Sequence, residues 1–301
     1  MSKYSKIYFI GIGGIGMSAI ARYYKFKGYP VAGYDRTPSD LTHALEKEGI
    51  DIHYKDDPDY IPKDVASTLV VYTPAIPADL QELVYVREHG YTLVKRSRML
   101  GELAEGQTCL AVAGTHGKTT TSTLVAHILT ESGKGCSAFL GGISKNYDTN
   151  LLTSHTPTIV AEADEFDRSF LQLHPAIAAI TAMDADHLDI YGTLEEYRKA
   201  FKAFASQVSR TLIVKLGLDI TAEDTNARIL HYSYDNPDAD YHAANPRPDE
   251  VGHYIFDLVY PGGVIGNIRV GIPGWVNVEN SVAAAAVCLC HGVAPEAIKE
   301  R

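Results

Sequence analysis

Twice in this chain an apolar run breaks into a glycine-rich loop that opens a helical pattern, and nothing else restricts its possible folds so strongly. The first case is KIYFIGIGGIG at 6–16 and the second TCLAVAGTHGK at 108–118. A strand that hands over to a helix through glycine begins a βαβ unit, and a series of such units builds a parallel sheet with helices on its faces. The rest of the first hundred residues keeps that rhythm. Strands are expected at 6–13, 29–35 and 67–74, with helices at 16–28, 41–49 and 78–90. The pattern restarts at 108–114, and further apolar runs at 156–164 and 176–186 each end in acidic residues. A chain of 301 residues also exceeds what one core usually serves. Two α/β domains follow, 1–107 and 108–301, with the boundary in the polar GELAEGQ stretch.

Charge and composition narrow the function classes. With 27 Lys+Arg against 37 Asp+Glu the net charge is −10, which disfavours a nucleic-acid partner. No run approaches the ~18 apolar residues of a membrane span, and the N-terminal MSKYSKIYFIGIGGIGM enters the first loop without a cleavage site, so a cytoplasmic protein with no membrane partner is expected. The four cysteines, Cys109, Cys136, Cys288 and Cys290, form no CxxC or zinc-finger spacing and read as buried free thiols. The Asp-, Asn- and Pro-rich stretch 233–253 reads as a loop and hairpin insertion. The chain's last residues begin a new helical pattern, from which a further C-terminal domain is expected.

The two loops carry the chemistry. Gly11-Ile12-Gly13-Gly14-Ile15-Gly16 satisfies GxGxxG between strand and helix, and Asp35 follows Gly16 by 19 residues at the end of the next strand. Glycines let backbone amides approach a diphosphate, and the helix N-terminus adds partial positive charge. The motif does not choose between NAD and another nucleotide diphosphate. Gly114-Thr115-His116-Gly117-Lys118-Thr119-Thr120 reads as a Walker A loop whose first glycine is displaced, since the strict pattern would put it at Val112. Lys118 would neutralise phosphate charge and Thr119 offer its hydroxyl to Mg²⁺. Glu162-Ala163-Asp164-Glu165-Phe166-Asp167 supplies four acids at one strand end, and Asp184, Asp186, His187 and Asp189 follow the next, where open α/β sheets place ligands.

In order and spacing, GIGGIGMS, GTHGKTTT, EADEFDRSF, DADHLDIYG and PGWVNVEN resemble the bacterial Mur ligase family over nearly the whole chain. The resemblance implies a Rossmann-like N-terminal domain that binds a UDP-sugar, followed by a P-loop ATPase domain, with a third domain for the amino acid. It implies ATP and Mg²⁺ as cofactors, and UDP-N-acetylmuramate and L-alanine as small-molecule substrates in peptidoglycan precursor synthesis. The lactyl carboxylate would attack the γ-phosphate of ATP, and the amine would then attack the acyl phosphate. Lys118, Glu162 and His187 are the implied catalytic residues, with Thr119, Glu162 and His187 at the metals and Asp186 and Asp189 in support. Gly114 to Thr120, Asn277 and Asn280 would hold ATP. Gly11, Gly13, Gly14, Ile15, Gly16, Asp35, His116, Arg168 and Ser169 would hold the UDP-sugar. Where the family carries His-Asn-x-x-Asn, this chain keeps both asparagines but has Val276 in the His position. Lys199 and Lys202 lie at about the distance of the lysine that several relatives carbamylate, yet both also fit an exposed helix face.

Three alternatives stay open on sequence. A ligase that recycles a tripeptide onto the same UDP-sugar shares the chemistry, although its first loop is usually bulkier. An NAD-dependent oxidoreductase explains GxGxxG and Asp35 but leaves GTHGKTTT unexplained. A nucleotide-switch or binding module without ligation is the third alternative.

Overall fold

The structure is a computed structural model that describes residues 3–299, with Leu188 described through its backbone alone. It divides into two compact units: Met1–Leu103 with Gly141–Thr153, and Ala104–Leu140 with Ser154–Arg301. The sequence places one crossing at 107/108; here the division falls at 103/104, and the chain returns to the first unit for one hairpin.

The first unit runs β1 (Lys6–Ile10), α1 (Ile15–Phe26), β2 (Val31–Tyr34), α2 (Asp40–Lys47), β3 (Asp51–His53), β4 (Thr68–Tyr72), α3 (Gln81–Glu88), β5 (Thr92–Lys95) and α4 (Arg96–Ala104). Its sheet has the order β3-β2-β1-β4-β5 and every pairing is parallel. Strand β1 is buried from Ile7 to Ile10, as expected where both sheet faces are covered. The order reverses between β1 and β4, so the loop leaving β1 opens at the position where such sheets bind ligands. Helix α2 starts on a reciprocal cap in which Ser39 Oγ accepts from Thr42 N and Thr42 Oγ1 accepts from Ser39 N.

Two polar clusters sit inside this unit. Tyr8 donates to Glu82 Oε2 at 2.7 Å and lies 2.7 Å from His53 Nε2, while His53 Nδ1 donates to the Lys55 carbonyl at 2.9 Å. Glu82 is fully buried, and burial raises its pKa to about 7. The second cluster centres on buried Asn150, which comes from the returning hairpin. Its Nδ2 donates to Ile15 O at 2.6 Å and Ser18 Oγ at 2.9 Å, and its Oδ1 accepts from the Arg22 guanidinium. Arg22 also holds Glu48 through Nε and Nη2.

The second unit starts with β6 (Thr108–Ala113) and α5 (Lys118–Glu131); the hairpin of β7 (Ser137–Ser144) and β8 (Thr149–Leu152) comes next. Then follow β9 (Thr158–Ala163), β10 (Ile177–Ile180), α6 (Leu188–Tyr191), α7 (Leu194–Ser206) and β11 (Thr211–Lys215). It ends with β12 (Arg228–Ser233), β13 (Tyr241–Pro248), β14 (Tyr254–Tyr260), β15 (Gly263–Arg269), α8 (Trp275–Cys290) and α9 (Pro295–Lys299). The sheet order is β15-β14-β13-β12-β11-β10-β6-β9-β7, parallel from β7 to β13 and antiparallel from β13 to β15. The two strands that end in acidic motifs are therefore not neighbours, as the sequence suggested: β9 and β10 flank β6, one on each side. Within the loop and hairpin expected at 233–253, residues 241–248 form a strand that pairs antiparallel with β14. It accommodates Asn245 at φ +53° beside a register shift, and Pro248 at its end, the places where a ladder tolerates them. Cys109, Cys136 and Cys288 are buried free thiols and Cys290 is half-buried; burial pushes Cys109 and Cys136 up to about 12, which keeps them protonated and inert.

Candidate functional site

The first glycine loop is shaped by close approach. Gly11 has φ +85°, a conformation that suits glycine. A Cβ on Gly13 would lie 2.8 Å from both Asp35 Oδ2 and Thr42 Cγ2, and one on Gly16 would lie 2.9 Å from Arg96 Nη1. Helix α1 starts on Gly14 with no capping side chain, so its first amides face outward at the switch point. Asp35 accepts from Gly13 N at 2.7 Å and from Thr37 N at 3.2 Å, which fixes the carboxylate against the loop. Ile15 is partly exposed on the first turn. Arg96, which the sequence analysis did not single out, brings a guanidinium to the N-terminus of α1; its only sequence signal is a cation at a strand-to-helix junction.

The second loop is fastened on both flanks. Gly114 has φ +135° and packs on Thr181, whose hydroxyl donates to the carbonyls of Ala113 and His116. Thr115 Oγ1 donates to Asp184 O at 3.0 Å and lies 2.9 Å from Tyr197 Oη. Its single proton is spent on the carbonyl, so Tyr197 is the donor; burial pushes that phenol up to about 12 and keeps the proton in place. On the β9 side, Thr119 Oγ1 donates to Glu162 Oε1 at 3.0 Å. Lys118 Nζ donates to Glu165 Oε1 and Oε2 at 2.9 and 2.8 Å and to Gly114 O at 2.8 Å. Glu165 is 1% exposed. In the sequence it is one of four acids at that strand end, with no role of its own. Its carbonyl is held by Tyr191 Oη at 2.6 Å and by Arg168 N at 2.9 Å.

The remaining predicted residues gather unevenly. His187 sits at φ +52°, with Nε2 3.7 Å from Asp186 Oδ2 and its ring edge-on to Phe166 at 5.3 Å. His116 is 74% exposed and 3.8 Å from Asp184 Oδ2. Asp167 and Arg168 are also left-handed, at φ +51° and +56°. Three non-glycine residues in that conformation, each costing on the order of 1–3 kcal/mol, store backbone strain after the two strands that flank β6. Arg168 lays its guanidinium over Tyr191, 5.2 Å from the ring centroid, and Ser169 is half-buried next to it. The predicted UDP-sugar set thus divides: the glycine loop and Asp35 belong to the first unit, and His116, Arg168 and Ser169 to the second.

Gly117, at φ +82°, caps α5 without a side chain, and a Cβ there would meet Asn280 Oδ1 at 2.6 Å. Asn280 accepts from Thr121 at 3.4 Å and donates to Asn277 Oδ1 at 3.3 Å; Asn277 donates in turn to Pro273 O. Both asparagines therefore lie at the start of α8, with Asn280 against the P-loop. Val276 is exposed, and beside it Trp275 is 55% exposed and edge-on to Tyr234 at 5.6 Å. Lys199 pairs with Glu195 and Glu196, and the Glu195 carboxylate raises its pKa; Lys202 pairs with Asp219 and Asp224. Among the described residues no group of three or more His, Cys, Asp and Glu side chains converges as a metal site, and no helix is long and apolar enough to cross a membrane.

Comparison with known proteins follows the same division. The chain is 50% identical over 98% of its length to UDP-N-acetylmuramate--L-alanine ligase of Porphyromonas gingivalis, and 51% identical over 97% to the protein of that name from Phocaeicola vulgatus. It covers 66% and 65% of those proteins, so it spans about two thirds of the curated relatives it matches. The crystal structure of UDP-N-acetylmuramate-alanine ligase from Thermotoga maritima superposes with a TM-score of 0.84 at 29% identity, over 98% of this chain and 68% of that one. The UDP-N-acetylmuramate:L-alanyl-gamma-D-glutamyl-meso-diaminopimelate ligase of Neisseria meningitides shares the fold, with a TM-score of 0.86 at 23% identity over 99% of this chain and 97% of that one. Residues 6–108 match the domain described as Mur ligase family, catalytic domain, and residues 112–288 match the Mur ligase middle domain. By these matches, and by two glycine loops built as that architecture requires, the chain belongs to the Mur ligase family.

Proposed function

We propose that this chain forms the UDP-sugar- and ATP-binding parts of a cytoplasmic ligase that joins L-alanine to the lactyl carboxylate of UDP-N-acetylmuramate. The observation that carries the reading is the seating of the P-loop: Lys118 and Thr119 each meet a carboxylate from the same strand end, Glu165 and Glu162. That arrangement suits transfer of a phosphoryl group between two anions, where clamping of charge matters more than acid-base machinery.

The residues fit Mg²⁺. Thr119 and Glu162 are hard oxygen donors 3.0 Å apart, and Mg²⁺ favours one or two carboxylates completed by phosphate oxygens and water. When bound with ATP, the ion supplies charge neutralisation at the phosphate oxygens. Lys118 adds a fixed cation at the phosphates, and the uncapped start of α5 directs backbone amides at them. The lactyl carboxylate attacks the γ-phosphorus, giving an acyl phosphate and ADP; the amine of L-alanine then attacks the acyl carbon and expels phosphate. His187, after the end of β10, which pairs with the P-loop strand β6, is assigned to the carboxylate side of the site.

In the first unit the diphosphate of the UDP-sugar lies on the Gly11–Gly16 loop and the start of α1, with Arg96 and Asp35 flanking it. Calorimetric titration of the chain with UDP-N-acetylmuramate, with NADH in a parallel cell, tests the reading. Binding of the UDP-sugar alone is expected. Binding of NADH alone would overturn it in favour of an oxidoreductase.

A further inference from the structure

The ammonium group of Lys118 has three protons, and all three are in use: one on Gly114 O and two on the carboxylate of Glu165. A nucleotide cannot engage Lys118 without removing one of these partners. The Gly114 carbonyl belongs to the loop itself, whereas the Glu165 side chain reaches in from the end of β9. Its backbone is fixed independently, since Tyr191 and the Arg168 amide both donate to its carbonyl. The side chain can therefore leave Lys118 while the main chain stays. A carboxylate at 1% exposure is costly without a cation, so a Glu165 that has left Lys118 needs new positive charge nearby.

We propose that Glu165 is a positioning residue that occupies, on Lys118, the place of the nucleotide's terminal phosphate, so that nucleotide binding exchanges one anion for another and becomes dependent on Mg²⁺. The inference rests on the nucleotide reading above and goes beyond it. A metal-free triphosphate must enter against the displaced carboxylate, two anions competing for one lysine in a poorly solvated place. With the cation on Thr119 and Glu162, that carboxylate has a second partner three residues along its own strand end. The same pairing keeps the loop's lysine compensated and correctly placed while the site holds no nucleotide.

The test is calorimetric titration of the wild-type chain and Glu165→Gln with ATP, once with EDTA and once with excess Mg²⁺. Glu165→Gln is expected to bind metal-free ATP at least about tenfold more tightly than wild type, with the ratio of the two dissociation constants shrinking by a similar factor. Unchanged or weaker metal-free binding would overturn the proposal, because a purely structural Glu165 would weaken binding in both conditions together. A wild-type chain that binds no ATP in either condition would instead overturn the nucleotide reading, and this inference with it. Should Glu165→Gln not fold, the wild-type crystal structure with Mg²⁺ and a non-hydrolysable ATP analogue decides: Glu165 should no longer contact Lys118 Nζ, and a retained bidentate contact would overturn the exchange.

Discussion

The amide of Gly13 donates to Asp35 Oδ2 at 2.7 Å, so the carboxylate that ends β2 is part of the glycine loop rather than a neighbour waiting for a ribose. The close approach leaves no room for a side chain at position 13. Gly13→Val must displace Asp35 and Thr42 and should abolish UDP-N-acetylmuramate binding by calorimetry while leaving ATP affinity within about twofold, since Gly13, Asp35 and Thr42 belong to the first unit and the P-loop to the second. Equal loss of both would sink the assignment of two sites.

Lys118→Ala should abolish ATP binding and spare UDP-sugar affinity. It also leaves Glu165 buried without its cation, which should destabilise the chain by about 3–5 kcal/mol in urea denaturation. Combining Lys118→Met with Glu165→Gln removes both charges and should recover most of that loss. A double variant no more stable than Lys118→Ala would show that the pair is not what holds this corner.

Glu82 makes stability depend on pH. Buried against Tyr8 and His53, with Asp56 and Asp57 adjacent, it titrates near 7 in the fold against 4.5 in an unfolded chain. A carboxyl raised in this way stabilises the folded state below 4.5, and that contribution is lost as pH climbs to about 7. His53, held below its usual range by burial, acts in the opposite sense, its contribution lost as pH falls below 6.5. Relative to Glu82→Gln, wild type should therefore lose about 1–3 kcal/mol between pH 5 and pH 8 in urea titrations. Parallel pH profiles for the two would remove Glu82 as the cause.

Trp275 is the single tryptophan of the chain and lies 55% exposed at the start of α8, two residues before Asn277. Nucleotide bound against Asn277 and Asn280 should change its fluorescence, with a midpoint that follows the calorimetric constant for Mg²⁺-ATP. An unresponsive Trp275 in a chain that binds ATP would place adenine elsewhere.

Asn150→Ala removes the acceptor of Arg22 and the donor to Ile15 O, groups with little access to water. A cost of about 1–3 kcal/mol is expected, with weaker UDP-sugar binding because α1 loses the anchor of its first turn. Unaltered UDP-sugar affinity would mean that the glycine loop holds its shape without the hairpin.

Much of this architecture was legible in the chain. Strands β1, β2, β4, β6, β9 and β10 and helix α3 fall within expected segments, α1 and α2 start one residue before theirs, and α5 opens from its glycine loop as expected, because apolar runs bounded by glycine are a local signal. Strand β13 was legible only as part of a loop and hairpin insertion, and its bounds were not: Asn245 and Pro248 interrupt a strand pattern until a bulge and a strand end absorb them. Among the candidate site residues, the glycines, Asp35, Lys118 and Thr119 could be read from motif spacing, whereas Glu162 stood among four acids and was singled out only by the family resemblance. Arg96, Asn150, Tyr191 and Tyr197 carry no such spacing and reach their partners only through packing.

By itself, the sequence determined two strand–loop–helix units, the glycine-rich turn between each strand and helix, and the acids that follow the later strands, because backbone conformation near glycine and the period of apolar residues are properties of neighbours along the chain. Only the tertiary structure decided that β6 lies between β9 and β10, that the 141–153 hairpin returns to hold α1, and that Lys118 is compensated by Glu165 rather than by any other of four acids. Those outcomes depend on which strands pair and which side chains lose water together, and residues 47 positions apart, as Lys118 and Glu165 are, leave no local trace of that choice.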